Sequence, residues 1–180
     1  ALFAEGGPGL AIADLGTGSG AIALALATEQ PAWALWAVDQ SEAALKIAER
    51  NAEALALRNL QFSLGDWCSE LPSNHFHGII ANPPYVEAGN SHLSEGSLPF
   101  EPLAALVADN HGMADIETII SQSRECLKCN GWLLIEHGFD QSAKVVAALE
   151  AAGFSEVGTD TDLAGIPRIA FAQWPGNSLR

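Results

Sequence analysis

Residues 10–39 read LAIADLGTGSGAIALALATEQPAWALWAVD, and this stretch decides the fold. An apolar run from about Leu10 to Asp14 predicts a buried strand. The glycine-rich turn behind it leads into a helix of small residues that stops before Pro31. A second apolar run, from about Trp33 to Asp39, predicts another strand. Strand, helix and strand in this order form a unit that pairs its two strands in parallel.

The alternation of strand-like and helix-like runs continues over the rest of the chain. Such alternation is typical of a parallel sheet with helices on both faces. We therefore predict an α/β fold in one domain, residues 1–180, with an open, mostly parallel, seven-stranded sheet that ends in an antiparallel hairpin. The later predicted elements are a helix opening at the N-cap Ser41, strands ending at Asp66 and Asn82, a helix over Met113–Leu127, a strand at 132–138, a helix over Gln141–Ala152, and hairpin strands over Ser155–Thr159 and Arg168–Trp174.

Composition and charge narrow the functional classes. The net charge is −14, with 8 Lys and Arg against 22 Asp and Glu, which argues against nucleic acid bound by this domain alone. No apolar run reaches the roughly 18 residues of a membrane span, and no signal peptide is visible. Three cysteines cannot all pair internally and favour the reducing cytoplasm. The spacing of Cys126 and Cys129 lacks a second ligand pair, so no metal site is predicted.

The turn after the first strand has the features of a ligand-binding loop. Its residues are Gly16-Thr17-Gly18-Ser19-Gly20, in which the glycines allow a tight turn and a close approach to a ligand. The helix behind Ser19 offers N–H groups to a negative group such as a carboxylate. The spacing G-x-G-x-G is not the dinucleotide fingerprint G-x-G-x-x-G, and the Gly-Lys-Ser/Thr of a phosphate loop is absent. No pyrophosphate ligand is therefore implied.

Acidic residues close the next two strands. Asp39 can accept hydrogen bonds from both hydroxyls of a ribose, and Asp66 can accept from an adenine amino group beside the ring of Trp67. Because the carboxyl ends of parallel strands meet at one edge, these residues predict a nucleoside site there. A structural turn, a helix cap and solvated loop acids are the alternative interpretations of the same residues.

The fourth strand ends in Asn82-Pro83-Pro84-Tyr85, the most informative motif of the chain. Two consecutive prolines stiffen the backbone and remove two N–H donors. The Asn82 amide oxygen and the Pro83 carbonyl can accept both protons of a planar NH2 group. This turns the nitrogen lone pair toward an electrophilic methyl group, while Tyr85 can pack on the flat face of the substrate.

The chain resembles the class I methyltransferases that use S-adenosyl-L-methionine to methylate amino or amide nitrogen. The segments that carry this resemblance are, in order, DLGTGSG, AVD, GDW and NPPY. Four further segments resemble the release-factor glutamine methyltransferase family more closely. They are FEPLAALVA at 100–108, GMADI at 112–116, LLIEHG at 133–138 and DLAGIPRIA at 162–170. The resemblance implies a Rossmann-like methyltransferase sheet, S-adenosyl-L-methionine as cofactor, and the Gly-Gly-Gln loop of peptide-chain release factors as substrate.

By that resemblance the Gly16–Gly20 loop, Asp39, Trp67 and Asn82 contact the cofactor. Asn82, Pro83, Pro84 and Tyr85 would bind the glutamine side chain, together with Phe100. One departure concerns the residue before Phe100, which is usually basic in this family and here is Pro99, preceded by Leu98. The family also carries an N-terminal helical domain that the present sequence does not include, and we expect that domain to recognise the substrate.

Two other functions fit part of the same pattern. Methyltransferases that act on the amino groups of adenine and guanine share the NPPY motif, so a nucleic-acid methyltransferase is one alternative. The excess of acidic residues and the FEP and EHG segments disfavour it. A cofactor-binding module without catalysis is the other, disfavoured by the intact Asn82–Tyr85 motif.

Overall fold

The computed structural model describes Gly7 and residues 9–84, 86–87, 107–108 and 113–176. The elements in these ranges follow the predicted alternation. The strands are β1 (Ala11–Leu15), β2 (Ala34–Asp39), β3 (Leu60–Leu64), β4 (Phe76–Ala81), β5 (Val86–Glu87), β6 (Val107–Ala108), β7 (Leu127–Glu136), β8 (Ser155–Thr161) and β9 (Pro167–Trp174), and the helices are α1 (Ala21–Glu29), α2 (Glu42–Ala54), α3 (Ala114–Cys126) and α4 (Ser142–Ala151).

Seven of these strands form one sheet in the order β3-β2-β1-β4-β7-β9-β8. Strands β3, β2, β1, β4 and β7 are parallel to one another, and β9 runs antiparallel to both β7 and β8. This confirms the predicted seven-stranded, mostly parallel sheet with a C-terminal antiparallel hairpin. Parallel order places the ends of β1, β2, β3, β4 and β7 on one side of the sheet, here called the carboxyl edge.

Two groups of buried side chains cover opposite faces of the sheet. Along β1, Ala13 belongs to the larger group and Ile12 to the smaller one, as alternating strand residues must. The larger group contains Ile116 of α3 and Val145 of α4, whereas the smaller one contains Ala27 of α1. Helices therefore pack on both faces, as predicted.

The helix starts and stops match the capping signals. The side chain of Ser41 accepts a hydrogen bond from the Ala44 N–H at 3.3 Å, which confirms it as the N-cap of α2. Helix α4 ends at Ala151, and Gly153 follows with a φ of 88° and donates its N–H to the Glu150 carbonyl. A left-handed glycine here is a common way to end a helix.

Three boundaries differ from the predictions. Strand β3 ends at Leu64, before Asp66, because residues 66–69 fold into a turn. Strand β7 begins at Leu127, directly after α3: Leu127 pairs with Phe76 of β4, and the register then shifts before Trp132 pairs with Gly78. Among the described residues between Asn82 and Met113, where no helix or strand was predicted, β5 and β6 form a parallel pair.

Among the described residues, no helix is both long and apolar enough to cross a bilayer. Within the same ranges, no three or more His, Cys, Asp or Glu side chains are grouped in a way that could hold a metal ion.

Candidate functional site

The carboxyl edge holds a cavity of about 540 Å³ at the ends of β1 to β4. This volume lies in the range of roughly 300–1,000 Å³ that is typical of small-molecule sites. Predicted and unpredicted residues both contribute to its wall. The lining residues are Gly16, Gly18, Ser19, Asp39, Gln40, Ser41, Ala44, Ile47, Gly65, Asp66, Trp67, Asn82 and Pro84.

Of the predicted cofactor residues, only Thr17 and Gly20 do not line this cavity. Thr17 is buried, and its hydroxyl donates a 2.6 Å hydrogen bond to Asp14. Gly20 is the N-cap of α1 and has a φ of 89°. Both residues therefore stabilise the conformation of the loop and do not face the cavity.

The carboxylate of Asp39 ties the glycine loop to the next strand. Its Oδ2 accepts from the Gly18 N–H at 2.9 Å, and its Oδ1 accepts from the Ser41 N–H at 2.8 Å. The Thr17 N–H donates to the Val38 carbonyl at 2.9 Å, a second link between the same two segments. Each carboxylate oxygen has two acceptor positions, so Asp39 can still accept from two ligand hydroxyls.

Asp14 is a buried acid under the same loop, and the sequence analysis did not place it in the site. Its Oδ2 accepts from the Thr17 hydroxyl and, at 3.1 Å, from the Ala23 N–H. Burial raises the pKa of the Asp14 carboxyl to about 6; these two hydrogen bonds oppose the rise and the nearby charge of Asp39 adds to it. The Ala23 N–H belongs to the helix start that was predicted to bind a ligand carboxylate, and Asp14 already occupies this one group.

Trp67 closes the other end of the cavity in an unusual backbone conformation. Its φ is 52°, a left-handed value that a tryptophan rarely adopts and that is often found at functional sites. The turn that holds it is closed by the Ser69 N–H, which donates to the Asp66 carbonyl at 3.1 Å. A Cβ added at Gly16 would lie 3.2 Å from the Trp67 ring, so this position requires glycine for close contact as well as for its φ of 69°.

Asn82 lies at the centre of the carboxyl edge. The residue before it, Ala81, pairs with Leu15 of β1 on one side and with Ile135 of β7 on the other. Asn82 is exposed to the cavity, Pro83 is buried and Pro84 is half-buried. The other two predicted substrate residues, Tyr85 and Phe100, lie outside the described residues.

His137 follows β7 at the same edge and is fully buried. Its Nδ1 lies 2.8 Å from the Gly138 carbonyl, a contact that requires Nδ1 to carry the proton. In the neutral ring Nε2 is then a bare acceptor, and it has no hydrogen-bond partner among the described residues. The histidine of EHG thus lies at the end of β7, next to the strand whose end carries Asn82.

One wall of the cavity was missed by the sequence analysis. Ser41, Ala44 and Ile47 recur every three residues along the start of α2 and so share a helix face. The sequence could have indicated this wall, because a helix that begins shortly after Asp39 must lie next to any site at the end of β2. Ile47 is half exposed although it is apolar, which fits a residue that covers a ligand ring.

Comparison with known proteins agrees with this geometry. The family model described as methyltransferase small domain matches residues 5–96. Relatives named release factor glutamine methyltransferase are 46% identical in Coxiella burnetii, 49% in Pseudomonas aeruginosa and 45% in Escherichia coli strain K12. Each alignment covers 91% of this chain but only 58% or 59% of the relative, so the chain spans less than two thirds of their length.

Solved structures of lower identity share the fold. A ribosomal protein L11 methylase from Lactobacillus delbrueckii subsp. bulgaricus superimposes with a TM-score of 0.69 at 20% identity, over 94% of this chain and 72% of that one. A methyltransferase from Pyrococcus furiosus gives 0.70 at 17% identity, over 94% and 77%. The fold of this chain therefore recurs in these two solved structures.

Proposed function

Because this chain belongs to the methyltransferase small domain family, we propose that it transfers a methyl group from S-adenosyl-L-methionine to the side-chain amide nitrogen of a protein glutamine. The observation that carries this proposal is the position of Asn82, which lines the cavity between the ends of β1 and β7. A group at this position contacts both a ligand in the cavity and a substrate arriving from solvent.

The residues of the cavity fit S-adenosyl-L-methionine. Asp39 retains acceptor positions for the ribose hydroxyls, because the backbone N–H groups of Gly18 and Ser41 use only one position on each oxygen. Trp67 and Ile47 offer apolar surface for a flat base, and Asp66 beside them can accept from its amino group. When bound, the cofactor supplies a methyl group on a positively charged sulfur, which is the electrophile of the reaction.

The chain contributes orientation to the reaction. The Asn82 amide oxygen accepts one proton of the substrate NH2, and the Pro83 carbonyl accepts the other. The lone pair then points along the line of attack, the nitrogen–carbon bond forms as the sulfur–carbon bond breaks, and the extra proton leaves to solvent. Holding reactants in this geometry is a large part of the catalysis that a protein can supply.

A peptide-chain release factor is the proposed substrate. The support is the name shared by three relatives at 45–49% identity, together with the FEP, EHG and DLAGIPRIA segments. The net charge of −14 disfavours the alternative of an adenine or guanine in nucleic acid. The free thiols Cys68, Cys126 and Cys129 support a reducing compartment, and we place the activity in the cytoplasm.

The test is to incubate the chain with methyl-labelled S-adenosyl-L-methionine and, separately, a release factor, RNA or DNA. We expect label in the release factor and none in either nucleic acid. Label only in nucleic acid would replace the proposed substrate with the nucleic-acid alternative. Cofactor binding without any labelled product would favour the alternative of a non-catalytic module.

A further inference from the structure

Three large apolar side chains are exposed beside the predicted substrate region. Leu163 is fully exposed, Phe139 is 60% exposed and Ile166 is 39% exposed. Phe139 follows β7, and the other two lie in the loop between β8 and β9. We call these three residues the hairpin rim.

The strand register places the hairpin rim at the carboxyl edge. Glu136 of β7 pairs with Ile169 of β9, and the His137 N–H donates to the Arg168 carbonyl at 2.9 Å. Because the two strands are antiparallel, the chain leaves β7 and enters β9 at the same edge of the sheet. Phe139 follows His137 by two residues, and Ile166 precedes Arg168 by two residues. The hairpin rim thus continues the carboxyl edge past the end of β7.

Its distance from Asn82 is short. Strand β7 lies between β4 and β9, and neighbouring strands are about 4.8 Å apart. The start of β9 is therefore about 10 Å from the end of β4, across two such spacings. A protein that places a glutamine at Asn82 covers about 800 Å2 of its partner, which readily extends over this distance.

The loop that presents Leu163 is held in one shape by its own hydrogen bonds. The Asp162 carboxylate accepts from the Ala164 N–H at 2.8 Å and from the Ile166 N–H at 3.0 Å. Arg168 lies 3.6 Å from the same carboxylate, and the Asp162 N–H donates to the Ile166 carbonyl at 2.9 Å. Gly165 completes the turn with a φ of 78°. An apolar side chain held in a fixed position in water adds little to folding but reduces the entropy cost of binding a partner.

Exposed acidic residues flank the hairpin rim. Asp140 follows Phe139, and Asp160 precedes the loop; both are exposed. An apolar centre with a charged border is the usual composition of a protein-binding surface. A partner that fits it presents apolar side chains flanked by basic ones.

We propose that the hairpin rim docks the methyl-accepting protein, contacting an apolar and basic surface next to its glutamine loop. This inference rests on the proposed function, since it assigns a further role to the substrate of the same site. It accounts for the exposure of Phe139, Leu163 and Ile166, for the fixed loop and for the location beside Asn82.

The test compares Leu163→Ser and Phe139→Ser with the control Leu55→Ser. Leu55 is also exposed, at 57%, but it caps the far end of α2, away from the carboxyl edge. The whole chain is used, and kcat/KM is measured for an intact release factor and for a short glutamine peptide. Binding of S-adenosylhomocysteine, by calorimetry, checks that each variant is folded at the cofactor site.

We expect each rim variant to lower kcat/KM for the intact protein about tenfold, mainly through KM, as interface anchors commonly do. Turnover of the peptide and cofactor affinity should stay within about twofold, and Leu55→Ser should behave as the unaltered chain. Unchanged kcat/KM for the intact protein would overturn the docking role, and so would an equal loss on the peptide. An unaltered chain that methylates neither substrate would instead refute the proposed function, and the docking role with it.

Discussion

The two halves of the carboxyl edge are built in different ways. At the ends of β1 and β2, backbone N–H groups of the glycine loop and of α1 are bonded to Asp39 and Asp14, and Thr17 is bonded to Asp14. At the ends of β4 and β7 and at the start of β9, Asn82 and the hairpin rim are exposed. The first half is a preformed pocket, and the second is an open surface with fixed contact points.

The difference follows from the size of the proposed ligands. A small cofactor offers few atoms, so its site must be preorganised to gain affinity from each contact. A protein substrate offers a wide surface, and its site must stay accessible over that whole area. The comparison predicts that substitutions in one half change cofactor affinity, whereas those in the other change turnover.

Replacing Asn82 with alanine should produce the largest separation between the halves. Loss of the acceptor leaves the substrate nitrogen without orientation, and we expect kcat to fall by about 10²–10³, the scale of losing one positioned hydrogen-bonding group. The affinity for S-adenosylhomocysteine should change little. Methylation assays measure kcat, and calorimetry measures the affinity for S-adenosylhomocysteine. The variant Asn82→Asp keeps an acceptor oxygen and should retain weak activity. A native kcat for Asn82→Ala would refute the mechanism.

Comparison of this chain with a full-length relative should give the next largest effect. The chain covers 59% of the Escherichia coli relative, and we expect the remaining part to recognise substrate. Cofactor affinity should be near that of the relative, because the predicted cofactor residues Asp39, Asp66 and Trp67 all line the cavity of this chain. Against one release factor, kcat/KM should be about 100-fold lower, which corresponds to two or three lost interface anchors. Equal kcat/KM values would show that this chain alone supplies substrate recognition.

Replacing Asp39 with alanine should affect the preformed half. The change removes acceptors for the ribose and also the bonds to the Gly18 and Ser41 N–H groups. Binding of S-adenosylhomocysteine should weaken by about 1–3 kcal/mol, the value of two good hydrogen bonds. As a control, Asp160→Ala removes an exposed acid outside the cavity and should leave the affinity unchanged. Calorimetry that finds native affinity for Asp39→Ala would contradict the cofactor assignment.

Asp14→Asn should change the pH dependence of stability. The pKa of Asp14 is raised from 3.8 to about 6 in the folded chain, so folding favours its protonated form. The stabilisation from this group is complete below its unfolded value and is lost as the pH rises through about 6, a change of up to about 3 kcal/mol. Asparagine keeps the acceptor oxygen and removes the titration. The free energy of unfolding, measured with denaturant, should therefore fall more steeply from pH 4 to 7 for the unaltered chain than for Asp14→Asn. Parallel plots of this free energy against pH would contradict the raised pKa.

The features that the sequence predicts well are those written in local patterns. Apolar runs, the Ser41 cap and the glycine turn fix the order of elements, and parallel topology then brings Asp39, Trp67 and Asn82 to one edge. The early start of β7 was not predictable in this way, because it depends on the pairing of Leu127 with Phe76 and on the register shift that follows, which no apolar pattern marks.

Two features depend on three-dimensional contacts that no local pattern shows. An acid at the end of an apolar run suggests exposure, yet Asp14 is buried, because Thr17 and the Ala23 N–H supply its hydrogen bonds. An apolar residue suggests burial, yet Leu163 is exposed in a loop whose backbone N–H groups are bonded to Asp162. Both residues stand in segments that the sequence singled out, but their surroundings decide their roles.

The most direct test of the central claim is mass spectrometry of a release factor before and after incubation with this chain and S-adenosyl-L-methionine. The account predicts that one glutamine gains a single methyl group on its side-chain nitrogen, and that Asn82→Ala leaves that glutamine unmodified. A release factor that gains no methyl group while the chain binds the cofactor, or a methyl group on another residue type, would contradict it.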